Sequence, residues 1–123
     1  MSDGHRSKAD IEAAAAKDNY DIILPADDDI FVDLGSAQDV YVMEAILALF
    51  KDQGYPIIHT KTTRSKSGNK HAYLKAPGPL TELERLLLQA ILGSNREREA
   101  LGFLRVIRGE SPVTVFFEKK EST

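Results

Sequence analysis

Asp29-Ile30-Phe31-Val32-Asp33-Leu34-Gly35 is the stretch whose reading decides the fold. A short run rich in β-branched and aromatic side chains, broken by Gly35 and Ser36, reads as a buried strand over 30–34. It carries one carboxylate, Asp33, inside otherwise apolar surroundings. Burying such a group demands a cation, a hydrogen-bond donor or a strand end open to water. Lys70-His71-Ala72-Tyr73-Leu74 echoes the pattern and places His71 at the start of a second strand. If the two runs are neighbours in one sheet, Asp33 and His71 come close together.

Working outward, Asp27-Asp28-Asp29 reads as a solvated turn, because consecutive carboxylates rarely converge on one ion. Before it, Tyr20 to Leu24, stopped by Pro25, reads as an edge strand or covering segment. Ser36 or Asp39 can cap a helix over 37–52 that is apolar nearly all round, from Val40 to Phe50. Gly54 ends it and Pro56 prevents its return. A β-rich stretch over 56–63 leads through Arg64-Ser-Lys-Ser-Gly-Asn69, a hairpin connection, into the strand at 70–75. Thr81 and Glu84 form a capping-box pattern that opens a helix through Leu92. Asn95 caps a further helix over 96–108, and Val113 to Phe117 reads as a final strand.

This order, βαββαβ, predicts an α+β fold of ferredoxin-like or RNA-recognition-motif-like (RRM-like) type: a four-stranded antiparallel sheet with helices on one face. The expected domain spans 20–118, preceded by a flexible tail or marginal helix at 1–19 and followed by a charged tail at 119–123.

A chain of 123 residues, 42% hydrophobic and 28% charged, suffices for one globular domain. Without cysteine it has no disulfide and no thiolate metal site, which suits a cytoplasmic setting. No apolar run is long enough for a membrane span, so no membrane partner is expected. A net charge of −3 excludes a globally basic nucleic-acid binder and leaves only a local basic patch.

The stretch from Lys61 to Lys75 is such a patch: Lys61, Arg64, Lys66, Lys70 and His71, with Ser67 and Gly68 among them and no acidic residue. Cations, hydroxyls and free backbone amides together suit phosphate, although a solvated basic hairpin tip would have the same composition. Arg105 and Arg108 have fewer acidic neighbours than the other helical arginines and extend the patch. The Arg96-Glu-Arg-Glu99 run reads as a solvated or self-paired face. His59 reads as an edge-strand residue, and nothing near Glu118 in the sequence makes it a ligand.

Phe31-Val-Asp-Leu-Gly35, Ser67-Gly-Asn-Lys-His71-Ala-Tyr-Leu74 and Leu92-Gly-Ser-Asn95 before Leu104-Arg-Val-Ile-Arg108 together resemble the catalytic core of the archaeo-eukaryotic primase superfamily, the primase-polymerases of phages and plasmids. The resemblance covers residues 29–117 and implies a modified RNA-recognition-motif fold. It implies that Asp33 stands for the first of two metal-binding aspartates, for Mg²⁺ or Mn²⁺, and His71 for the histidine that contacts a nucleoside triphosphate. Gly35 occupies the second metal-binding place, and no third acidic motif is evident.

The expectation is therefore a small phage-like protein with a degenerate primase-type core, non-catalytic, binding nucleotide or nucleic acid through Lys61, Arg64, Lys66, Ser67, Gly68, Lys70, His71, Arg105 and Arg108. The alternative is a protein-interaction module, such as a phage inhibitor of a host protein or a homodimer, to which the apolar helix at 37–52 points. A minimal metal-dependent phosphoryl-transfer enzyme using Asp33 and His71 is the third reading.

Overall fold

The structure, a computed structural model, describes residues 20–64 and 68–119. The expected tail at 1–19, most of the C-terminal tail, and Lys66 and Ser67 lie outside the described residues. Five strands and three helices follow in the order β1 (Tyr20–Ile23), β2 (Asp29–Leu34), α1 (Ala37–Asp52), β3 (Ile58–Arg64), β4 (Lys70–Lys75), α2 (Glu82–Ile91), α3 (Arg96–Ile107) and β5 (Phe116–Lys119).

The class is mixed α+β, with two antiparallel sheets in place of the expected four-stranded one. Strands β2, β4 and β3 form a three-stranded sheet in that order, and β1 pairs with β5 as a separate ribbon. The final strand begins at Phe116, later than its apolar run suggested, and its partner is the Tyr20–Ile23 segment.

Side-chain alternation sorts the three-stranded sheet into two faces. Ile30, Val32 and Leu34 of β2 lie with Ala72 and Leu74 of β4 in the main core, against Met43 and Leu47 of α1 and Leu92 after α2. The opposite face carries Phe31 and Tyr73, a register pair, which pack with Phe116 of the ribbon and with Ile23. The ribbon is thus attached to this second face through aromatic side chains.

The outer edge of β2, where a fourth strand would pair, is closed by side chains. Phe31 N–H donates to Gln89 Oε1 at 3.0 Å, and Asp33 N–H donates to Ser94 Oγ at 3.0 Å. Arg85 Nε donates to the Asp29 carbonyl at 2.8 Å, and Arg98 Nη1 to the Phe31 carbonyl at 3.0 Å. The Asn95 amide donates to the Asp33 carbonyl at 2.8 Å. Backbone groups at a buried edge must find partners. The loop and helices from Arg85 to Arg98 supply them, leaving no place for β5.

Glu99 sets the direction of these bonds. Its carboxylate accepts from Gln89 Nε2 at 2.8 Å and Ser94 Oγ at 2.5 Å, and it pairs with Arg98. An ionised carboxylate only accepts, so Gln89 turns its oxygen, and Ser94 a lone pair, toward β2. Gln89 is 0% exposed and Arg85 2%, so this is an interior polar network and not a surface one. The reading of the 96–99 run as a solvated or self-paired face is met in part: Arg96 and Glu97 are exposed and Arg98 pairs with Glu99, but this pair turns inward and does not form a solvated face.

The predicted caps hold. Ser36 Oγ accepts from Asp39 N–H, Asn95 caps α3, and Thr81 with Glu84 forms a capping box at α2. The acidic turn before β2 is fixed by Asp29 Oδ2 accepting from the Ala26 amide at 2.7 Å, with Lys75 pairing to Asp28 and Asp29. No helix among the described residues is long and apolar enough to cross a membrane.

Candidate nucleic-acid interface

The β3–β4 hairpin positions the basic residues. Its tip includes Gly68 at a φ of 90°, a left-handed conformation that glycine adopts without a Cβ clash. The register makes Arg64 and Lys70 directly opposed partners, and Thr63 and His71 the next pair. Among the described residues no carboxylate lies within ion-pair distance of Lys61, Arg64 or Lys70. Lys75, Arg85, Arg98 and Arg108, by contrast, each have an acidic partner.

Asp33 and His71 are cross-strand partners, as their sequence runs suggested. Asn69 Nδ2 donates to Asp33 Oδ1 at 3.4 Å, so Asp33 stands at the strand end beside the hairpin tip. His71 is 7% exposed, and its ring stacks on Phe116 with centroids 3.8 Å apart and planes 6° from parallel. Its Nδ1 lies 3.1 Å from Glu118 Oε2.

Glu118 gathers this face together. The same Oε2 accepts from Thr63 Oγ1 at 2.7 Å and from the Tyr73 hydroxyl. Burial alone would raise its carboxyl pKa. The hydrogen bonds from Tyr73, Thr63 and His71 outweigh burial and hold it below the ordinary value of 4.5. Burial, the hydrogen bond to Glu118 and the Glu118 charge push the Tyr73 hydroxyl far above its usual range. Toward the Glu118 carboxylate, which only accepts, Nδ1 of His71 is the donating nitrogen. Lys61 Nζ sits 4.7 Å from the Tyr73 ring centroid, which brings a cation to the margin of the cluster.

The predicted residues therefore divide. Arg64, Gly68, Lys70, His71 and Asp33 share one end of the β2–β4–β3 sheet, while Lys61 lies further along β3 opposite Tyr73, on the other face from Arg64 and Lys70. Arg105 and Arg108 do not join them: Arg105 is in α3, which is anchored through Arg98 at the far edge of β2, and Arg108 caps the end of that helix 3.8 Å from Glu110. The residues around Asp33 do not fit a divalent metal. Gly35 supplies no second carboxylate, Glu118 is engaged by three donors, and no group of three His, Cys, Asp or Glu converges among the described residues.

Sequence reading missed Thr63, Tyr73, Phe116 and Glu118. Tyr73 and His71 are two apart on β4, and Phe116 and Glu118 two apart on β5, so each pair shares a strand face. Only the placement of the ribbon over the sheet joins the two pairs. Comparison with protein-family models, curated proteins and solved structures gives no match.

Proposed function

We propose that the β3–β4 hairpin binds the phosphate groups of a nucleic acid or nucleotide. The observation that carries this reading is the opposition of Arg64 and Lys70 across the hairpin, with no carboxylate among the described residues to neutralise them. Like charges directly opposite on a sheet destabilise it. A bound phosphate between them turns that repulsion into two attractions. In a chain with more acids than bases, a cluster of unpaired cations marks a local electrostatic footprint.

Lys61, Arg64 and Lys70 are the contact groups in this reading. His71, enclosed by Phe116 and Glu118, is a positioning residue that stiffens the start of β4. Strands β2, β4 and β3 keep the neighbour order expected of a ferredoxin-like or RRM-like sheet, and a primase-type ancestry is part of the same proposal. With Gly35 in place of a second carboxylate, binding without catalysis is the activity proposed. A protein-interaction role is the second reading, favoured by α1, whose Tyr41 is 73% exposed.

The test is a titration of labelled single-stranded DNA, RNA and nucleoside triphosphates into the full chain at low and moderate salt. Salt-sensitive binding at micromolar concentrations or tighter is expected. Absence of binding to all three at low salt would overturn the proposal.

A further inference from the structure

A second surface, on the opposite side of β2 from the hairpin, lacks a covering partner among the described residues. Helices α2 and α3 pack as a pair, with Gly102 of α3 against Leu86 of α2. Their outward sides leave six large apolar side chains exposed: Leu83, Leu87 and Ile91 of α2, and Phe103, Leu104 and Ile107 of α3. Between the helices runs an open hollow of about 650 Å³, lined by Leu83, Leu87 and Phe103 and by the small side chains of Ala90 and Ala100.

We infer that this α2–α3 surface binds a second copy of the chain about a two-fold axis. Area is the first reason. From their exposed fractions, the six side chains present roughly 600 Å² of apolar surface, at the top of the range for the largest patch on a monomer. Homodimer interfaces are about 65% apolar, so this amount corresponds to about 900 Å² per partner, the size of a stable interface. Shape adds the second reason. A two-fold contact requires one patch to hold both the projection and the recess that receives it. Phe103, 48% exposed, lines the same hollow as Ala90 and Ala100, so a projecting side chain and a recess occur on the same patch. A head-to-tail contact would need the recess elsewhere on the molecule. An aromatic anchor entering a small-residue hollow is also the usual form of an interface hot spot.

The experiment is sedimentation equilibrium of the full chain over a wide concentration range, with three variants. The wild type is expected to form a dimer, with no larger species. Leu87→Glu combined with Phe103→Glu weakens association at least 100-fold while leaving the circular dichroism spectrum unchanged, since both side chains are already exposed. Leu49→Glu, on the exposed side of α1, leaves the dimer intact. The chain contains no cysteine, so a lone cysteine reports proximity unambiguously. Leu87→Cys is expected to oxidise to a disulfide-linked dimer, and Thr62→Cys on β3 is not. A monomeric wild type at hundreds of micromolar would overturn the inference. So would a dimer that survives the Leu87/Phe103 double variant, or one that Leu49→Glu abolishes.

Discussion

Glu118 Oε2 stands 3.1 Å from His71 Nδ1 across 47 residues of sequence, and through that contact the β1–β5 ribbon is joined to the three-stranded sheet. The same oxygen takes the Thr63 and Tyr73 hydroxyls. Glu118→Gln keeps the shape and removes the charge that all three donors share. Hydrogen bonds to charged groups contribute about 1.5–3 kcal/mol each in favourable cases, and a glutamine recovers part of this, so a loss of about 2 kcal/mol is expected. Urea denaturation measures it; an unchanged midpoint would show that the ribbon is held by its aromatic residues alone.

The same cluster gives the protein an acid and an alkaline limit. Glu118 is held below 4.5, so its contribution is fully present above that pH and is lost as pH falls through the lower folded-state value. Tyr73 is raised from 10.0, so its contribution is present below pH 10.0 and is lost as pH rises through the folded-state value. Glu118→Gln should flatten the acid limb of a stability curve below pH 4.5, and Tyr73→Phe the alkaline limb above pH 10.0. Parallel limbs in variant and wild type would remove Glu118 and Tyr73 as the groups responsible.

Gln89→Leu tests the closure of the β2 edge. Leucine fills similar space but strands the Phe31 amide and takes a donor from buried Glu99. One buried amide without a partner and one lost hydrogen bond to buried Glu99 predict a loss of about 3 kcal/mol, read from thermal or urea unfolding. A loss below about 0.5 kcal/mol, the scale of an ordinary surface substitution, would contradict the role given to this network.

Arg64→Ser with Lys70→Ser separates binding from stability, because the two should move in opposite directions. Relief of the cross-strand repulsion raises stability by a few tenths of a kcal/mol. Oligonucleotide affinity falls, and the slope of log affinity against log salt drops by about 2, one for each phosphate contact removed. Unaltered affinity in this variant would place binding elsewhere on the chain.

Gly102→Ala probes the seam between α2 and α3. An added Cβ would lie 2.8 Å from Leu86 Cδ2 and 3.5 Å from Val113 Cγ1. The helix gains about 0.5–1 kcal/mol from replacing glycine, but displacing buried Leu86 costs about 1–3 kcal/mol. A net loss of about 1 kcal/mol is expected in denaturant titration. A more stable variant would mean that Leu86 turns aside without strain.

The sequence carried local features well and one long-range pairing besides. Thr81 and Glu84, Ser36 and Asn95 mark helix starts because capping depends on residues three positions apart. Asp33 and His71 were legible as neighbours because each interrupts an apolar strand of matching length. The fourth strand was not legible. Whether β5 joins β2 depends on whether that edge is already occupied, and its occupants, Arg85, Gln89, Ser94 and Arg98, look from sequence like ordinary polar helix residues. The inward turn of Glu99 was not legible for the same reason: a charged residue next to Arg98 resembles a surface pair until Gln89 and Ser94 are found around it. Glu118 needed the ribbon's placement, which no local pattern encodes.

The sealing of β2 gives the three-stranded sheet a polarity of growth. One border offers no free backbone group at Phe31 or Asp33, while β3 at the other border pairs only with β4 among the described residues. Edge-to-edge addition of strands, the route by which sheets polymerise, requires two open borders per molecule. With one border stoppered, such addition can join two molecules through β3 and then has nowhere to continue. The network around Glu99 therefore acts as a chain terminator, built into the fold, against fibrous assembly.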